Sequence, residues 1–185
     1  MTGLWIGLAI LVVVVLYAIV AYNRLVSLRE QVRAAWAQID VLLKRRHDLI
    51  PNLVETVKGY AAHERDTLER VVAARNAAVA ARGNPQQASL AEGALGGALR
   101  QLFALSEAYP DLKANTSFTE LQRELVNTEN QISGQRQAYN GTVQLYNTSI
   151  LSFPANLIAG PFGFTPQPFF EIQEPAQREV PQVKF

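Results

Sequence analysis

The chain has 185 residues, with 17 basic and 16 acidic side chains and no cysteine. That near-neutral balance gives no broad attraction to nucleic acid, and the missing cysteines remove disulfides, thiol nucleophiles and cysteine-bound zinc or iron–sulfur centres. Setting aside one membrane segment leaves roughly 160 residues, enough for one domain with a real core.

Residues 3–22, GLWIGLAILVVVVLYAIVAY, carry no charge. A helix rising about 1.5 Å per residue needs roughly twenty apolar residues to cross a bilayer core of about 30 Å, so a transmembrane anchor is predicted over residues 1–22. A cleaved leader would have a shorter apolar run, a basic start and a small-residue cleavage site. Here no Lys or Arg precedes the run, which ends in Tyr22-Asn23-Arg24. Arg24, Arg29 and Arg33 all follow it, which places the N-terminus outside and the remaining domain in the cytoplasm.

From Leu25 onward, apolar and small residues recur at spacings of three and four: Leu25, Leu28, Val32, Ala35, Ile39 and Leu42, then Leu49, Leu53 and Tyr60. Arg46 and Thr56 interrupt a pattern that otherwise reads as a long, heptad-like helix continuing from the span. Pro51 lacks a backbone donor and disfavours helical geometry at Ile50, so a kink or break is predicted there, with a firmer stop at Gly59. A second helix is predicted from His63 to Arg82, ending at Gly83-Asn84-Pro85. The third runs from Gln86 to Ala108, where Gly93, Gly96 and Gly97 are costly unless a neighbour approaches closely. The fourth runs from Phe118 to Ser152, opened by a capping box of Ser117 and Glu120. Thr128, Gln135 and Thr142 form a polar row on its seam, a device that sets register.

The fold class is therefore all-α: a transmembrane helix continuing into an antiparallel four-helix-type bundle over residues 23–152. Helix parity returns the chain to the bilayer surface near residue 150. The segment at 153–172 is apolar and aromatic but broken by Pro and Gly, so it cannot span. Phe153, Phe162, Phe164, Phe169 and Phe170 either cover the open end of the bundle, lie in the membrane interface or dock a partner. Residues 173–185 read as a flexible tail.

The run RRHDLIPNLV at 45–54, YPDLKAN at 109–115 and TENQI at 128–132 with Arg136, Tyr139 and Asn140 closely resemble the LemA family. FPAN at 153–156, Gly163-Phe164 and the closing Val180-Pro181 to Phe185 fit as well. The resemblance implies a bacterial single-pass plasma-membrane protein with an antiparallel helical bundle, no cofactor and no established enzymatic activity.

Two histidines each precede a carboxylate, at His47-Asp48 and His63-Glu64. The second lacks the partner of a helical zinc pair, since Thr67 stands where His is needed. His47 is placed on a bundle surface. If the first and fourth helices are antiparallel with position numbers summing to about 175, Arg46 faces Glu129 and Asp40 faces Arg136. Arg46, Glu129, Asn130 and Asp48 then form a partly buried polar layer that fixes register, with Asp40 and Arg136 beside it.

The preferred functional reading is a non-enzymatic, membrane-anchored scaffold or adaptor in contact with the lipid bilayer and with membrane or cytoplasmic proteins. One rival is a self-associating, membrane-shaping protein that uses residues 150–172 at the bilayer surface. The other is an enzyme holding a metal through His47, Asp48 and Glu129, which lacks the second Glu-x-x-His element of a di-metal bundle.

Overall fold

The computed structural model describes residues 2–171, so the tail at 173–185 lies outside the described residues. Helices α1 (Thr2–Lys58), α2 (Arg65–Ala80), α3 (Pro85–Ser106), α4 (Pro110–Lys113), α5 (Thr116–Leu151) and α6 (Asn156–Ala159) follow one another, with no strand among the described residues. The described residues divide into two compact units, one built from residues 2–37 and 137–169, the other from residues 38–136 and 170–171.

Helix α1 does not break at Pro51; it runs to Lys58. A proline at this position frees the carbonyl four residues earlier, which belongs to His47. Arg75 of α2 supplies the missing donor, its Nε donating to the His47 carbonyl oxygen at 3.2 Å. The helix ends at Gly59, where the amides of Tyr60 and Ala61 both turn back to the Val57 carbonyl. Replacing Arg75 with Ala is expected to cost about 1–3 kcal/mol by orphaning that carbonyl. In a Pro51→Ala background the backbone donor returns and the cost should shrink. Equal losses in both backgrounds, measured by chemical denaturation, would contradict the pairing.

In the unit containing residues 38–136, Ile50, Leu53 and Val57 of α1 join Leu68 and Val71 of α2, Leu95, Leu99 and Leu102 of α3, and Phe118 and Leu125 of α5 in one core. The seam of α1 differs from the one expected. After Ile39 the buried stripe follows Leu43, Arg46, Ile50, Leu53 and Val57, with His47 and Val54 buried beside it, while Leu42 and Leu49 are only partly buried and Tyr60 is exposed. Ile39, Arg46 and Leu53 keep their expected places in the stripe, while the buried positions between and after them, Leu43, Ile50 and Val57, fall one residue later than expected.

The α5 start also departs from expectation. Asn115, not Ser117, caps it, its Oδ1 accepting from the Phe118 amide at 2.9 Å, while its Nδ2 donates to Tyr60 Oη at 2.9 Å. Leu112 beneath this turn is fully buried, and Tyr109 Oη donates to Glu64 at 3.1 Å, which pushes its phenol up. Asn115→Ala should therefore lower stability by about 0.5–2 kcal/mol, and Ser117→Ala by much less. Thermal melts of the two variants check this, and a larger loss at Ser117 would restore the capping box.

In the unit containing residues 2–37 and 137–169, Leu25, Leu28 and Val32 of α1 and Tyr139, Val143, Tyr146 and Ile150 of α5 are buried. Trp36 packs against Tyr139 with ring centroids 5.6 Å apart. The chain after α6 is strapped to α5: Tyr139 Oη donates to the Pro168 carbonyl at 2.9 Å, and the Asn147 amide both donates to the Gln167 carbonyl (2.9 Å) and accepts from its N–H (2.8 Å). Burial pushes the Tyr139 phenol from 10.0 up to about 12. A phenol whose pKa is higher folded than unfolded contributes stability below pH 10 that is lost as pH rises toward 12. Urea midpoints of the parent should fall across that window more steeply than those of Tyr139→Phe; parallel pH profiles would refute the assignment.

Candidate functional site

The most deeply buried charges lie in the unit containing residues 38–136 and centre on Glu92 of α3, which is 1% exposed. Its Oε2 accepts from Arg46 Nη1 at 3.0 Å, and its Oε1 lies 2.6 Å from His47 Nε2. As a carboxylate only accepts, Nε2 carries the hydrogen toward it. Arg46 Nη1 also lies 2.9 Å from Glu129 Oε2 on α5. Glu129 is 43% exposed along its side chain, so this second contact is the weaker of the two. Arg46 and His47 themselves are 5% and 1% exposed.

The local sequence explains how these groups meet. Consecutive residues on a helix point about 100° apart, so Arg46 and His47 can approach one acceptor only if it stands across from both. Glu92 does so from α3, and Gly96 one turn later lies beside the Arg46 guanidinium, where a Cβ would sit in ordinary contact at 3.7 Å from Nη2. Beside it opens a cleft of about 230 Å³ lined by Arg46, Glu92, Glu129 and Arg100 together with Leu99 and Phe103.

The remaining polar residues singled out by sequence are placed elsewhere. Asp40 is bidentate to Arg82, through Nε at 2.8 Å and Nη2 at 2.5 Å, and so is not matched with Arg136. The short α2–α3 turn brings Arg82 back to α1, a contact that pairing α1 with α5 alone leaves out. Asp40 in turn pushes the Arg82 guanidinium up. Asp48 bonds Lys44 at 2.5 Å on the exposed side of α1, which holds its carboxyl below the usual range. Asn130 is exposed. Asp48 and Asn130 therefore stand outside the Arg46 cluster, because on a helix they point away from the seam that Arg46 and Glu129 share. Arg45 adds an ion pair with Glu124. His47 is buried, not on a surface, and it is not assembled with Asp48 and Glu129 into a ligand set. Among the described residues no group of three His, Asp or Glu is placed to hold a metal.

The aromatic segment divides in two. Phe153, Phe162 and Phe169 are exposed by 80%, 62% and 44%, whereas Phe164 and Phe170 are buried. Phe164 packs edge-on to Tyr22 at 5.6 Å with the Arg29 guanidinium 5.2 Å from its ring centroid. Near residues 3–22, by contrast, Leu4, Trp5, Ile10, Val13 and Val20 are all more than half exposed, a surface suited to lipid on every side.

The family profile described as LemA family matches residues 35–185. The chain belongs to the LemA family. Within this LemA-family chain the matched region takes in the whole Arg46–His47–Glu92–Glu129 cluster and both ends of α5. Two relatives extend the comparison. Magnetosome protein MamQ of Magnetospirillum gryphiswaldense is 25% identical over 146 residues, covering 65% of this chain and 54% of its own length. Magnetosome protein MamQ 2 of Paramagnetospirillum magneticum is 27% identical over 144 residues, covering 64% of this chain and 53% of its own. The LemA-family chain thus spans about half the length of these relatives. Together with the apolar segment of α1, the likeness makes it a membrane-associated helical protein.

Proposed function

We propose that this chain is a non-enzymatic scaffold or adaptor, tethered to a bacterial plasma membrane by residues 3–22 with its helical domain in the cytoplasm. The observation that carries the reading is Glu92. Each of its carboxylate oxygens meets one buried partner, Arg46 or His47, at 1% exposure, so the most deeply buried charges serve to hold α1 to α3. The Arg46–Glu129 contact extends the same layer to α5, and its role is to fix the register of the bundle.

The three arginines after the span support the orientation, and two relatives are named magnetosome proteins. The surface left for partners includes Val41 and Val72, 66% and 41% exposed. A photo-crosslinking residue at each position, activated in intact cells, should yield adducts with other membrane or cytoplasmic proteins. Adducts with a second copy of this chain alone would move the reading to a self-associating membrane organiser, and no adduct at either position would overturn it.

A further inference from the structure

We infer that residues 151–164 form a second membrane contact that does not span, laid into the lipid leaflet on the side of the domain. The inference rests on the anchor at residues 3–22 but not on the scaffold role. The depth comes from Tyr22, the last residue of the apolar run, whose ring meets Phe162 edge-on at 5.1 Å. Any bilayer that surrounds the helix down to Tyr22 therefore meets Phe162 at its boundary, where amphipathic rings settle.

Three further observations select lipid as the occupant. No charged residue occurs between Arg136 and Glu171. Leu151, Phe153, Leu157 and Phe162 are 70%, 80%, 65% and 62% exposed, while Ala159 and Phe164 are buried, so the segment presents its large apolar side chains outward. Most of its backbone amides are also bonded internally. The amides of Asn156, Leu157, Ile158, Ala159, Phe162, Gly163 and Phe164 all donate to carbonyls between Ser152 and Gly160. The hydroxyls of Ser149 and Ser152 likewise donate to the Leu145 and Thr148 carbonyls. A segment immersed in the apolar side of an interface must satisfy its own polar groups in this way, whereas a water-exposed loop has no such need. Arg24, exposed just after Tyr22, stands at the level where anionic headgroups lie.

The chain has no cysteine, so single cysteines can be spin-labelled cleanly. Full-length protein carrying Phe153→Cys, Leu157→Cys or Phe162→Cys would be labelled and reconstituted into phosphatidylethanolamine and phosphatidylglycerol vesicles. Val13→Cys serves as the reference in the span and Gln137→Cys as the reference in water. Collisions with oxygen should exceed those with a water-soluble nickel chelate at 153, 157 and 162, as at 13, with the reverse at 137. Nickel collisions at 153, 157 and 162 matching those at 137 would overturn the inference. Protection from both reagents would overturn it too, since protein would then be the occupant. Partner adducts from Val41 and Val72 test the scaffold role separately.

Discussion

Replacing Glu92 with leucine should destabilise the folded domain by about 3–5 kcal/mol, the usual result of leaving a buried partner charge without its mate. For a domain of this size about 2–4 °C of melting temperature accompanies each kcal/mol, so the expected fall is of the order of 10 °C. Glu92 is 1% exposed and neutralises Arg46 while accepting from His47, so one truncation strands two donors. Glu129 limits the damage, because it already lies 2.9 Å from Arg46. Arg46→Met and Glu92→Leu should therefore couple strongly in a double-mutant cycle. Arg46→Met with Glu129→Leu should couple less strongly, because Glu129 Oε2 lies 2.9 Å from Arg46 without forming a hydrogen bond. The combined Arg46→Met, His47→Leu, Glu92→Leu variant should recover most of the loss. Melts in detergent decide the matter, and a cycle in which Glu129 couples more strongly than Glu92 would reverse the assignment.

The second large effect concerns the anchor. Lysine at the centre of a spanning helix costs insertion about 2.5–3.5 kcal/mol, so Val13→Lys with Val14→Lys should shift the chain from the membrane to the soluble fraction. Both side chains are exposed, at 64% and 57%, so the substitutions remove no packing contact of the folded domain. The paired control, Gln31→Lys with Ala34→Lys, lies on an exposed part of α1 beyond the span and should leave fractionation unchanged. Continued resistance of the Val13/Val14 variant to alkaline carbonate extraction would show that something other than this helix holds the chain to the membrane.

The helices were legible because their periodicity and stops are local. Gly83-Asn84-Pro85 announced a turn, and Asn84 indeed caps α3 by accepting from the Gln86 and Gln87 amides. Pro51 misled because its cost is met from outside the helix: Arg75 sits 28 residues beyond His47, and no local pattern reveals that it reaches the His47 carbonyl. The register between α1 and α5 could be estimated from equal rise per residue, and on that basis Arg46 and Glu129 fall opposite one another. Glu92 could not be found that way, since the position of α3 depends on how two short helices fold back. The division of the aromatic segment was hidden for a similar reason, as Asn147 and Tyr139 strap the backbone at Gln167 and Pro168 through single hydrogen-bonding side chains.

At the centre of this account, the buried Arg46–His47–Glu92 cluster is architecture within a membrane-held scaffold. The direct measurement is in-cell photo-crosslinking from Val41 and Val72 in the parent and in the combined Arg46→Met, His47→Leu, Glu92→Leu variant, with folding of both checked by melting. The same partner adducts are expected from both proteins. A variant that melts like the parent yet loses those adducts would contradict this expectation, and would assign the cluster a working role in place of a structural one.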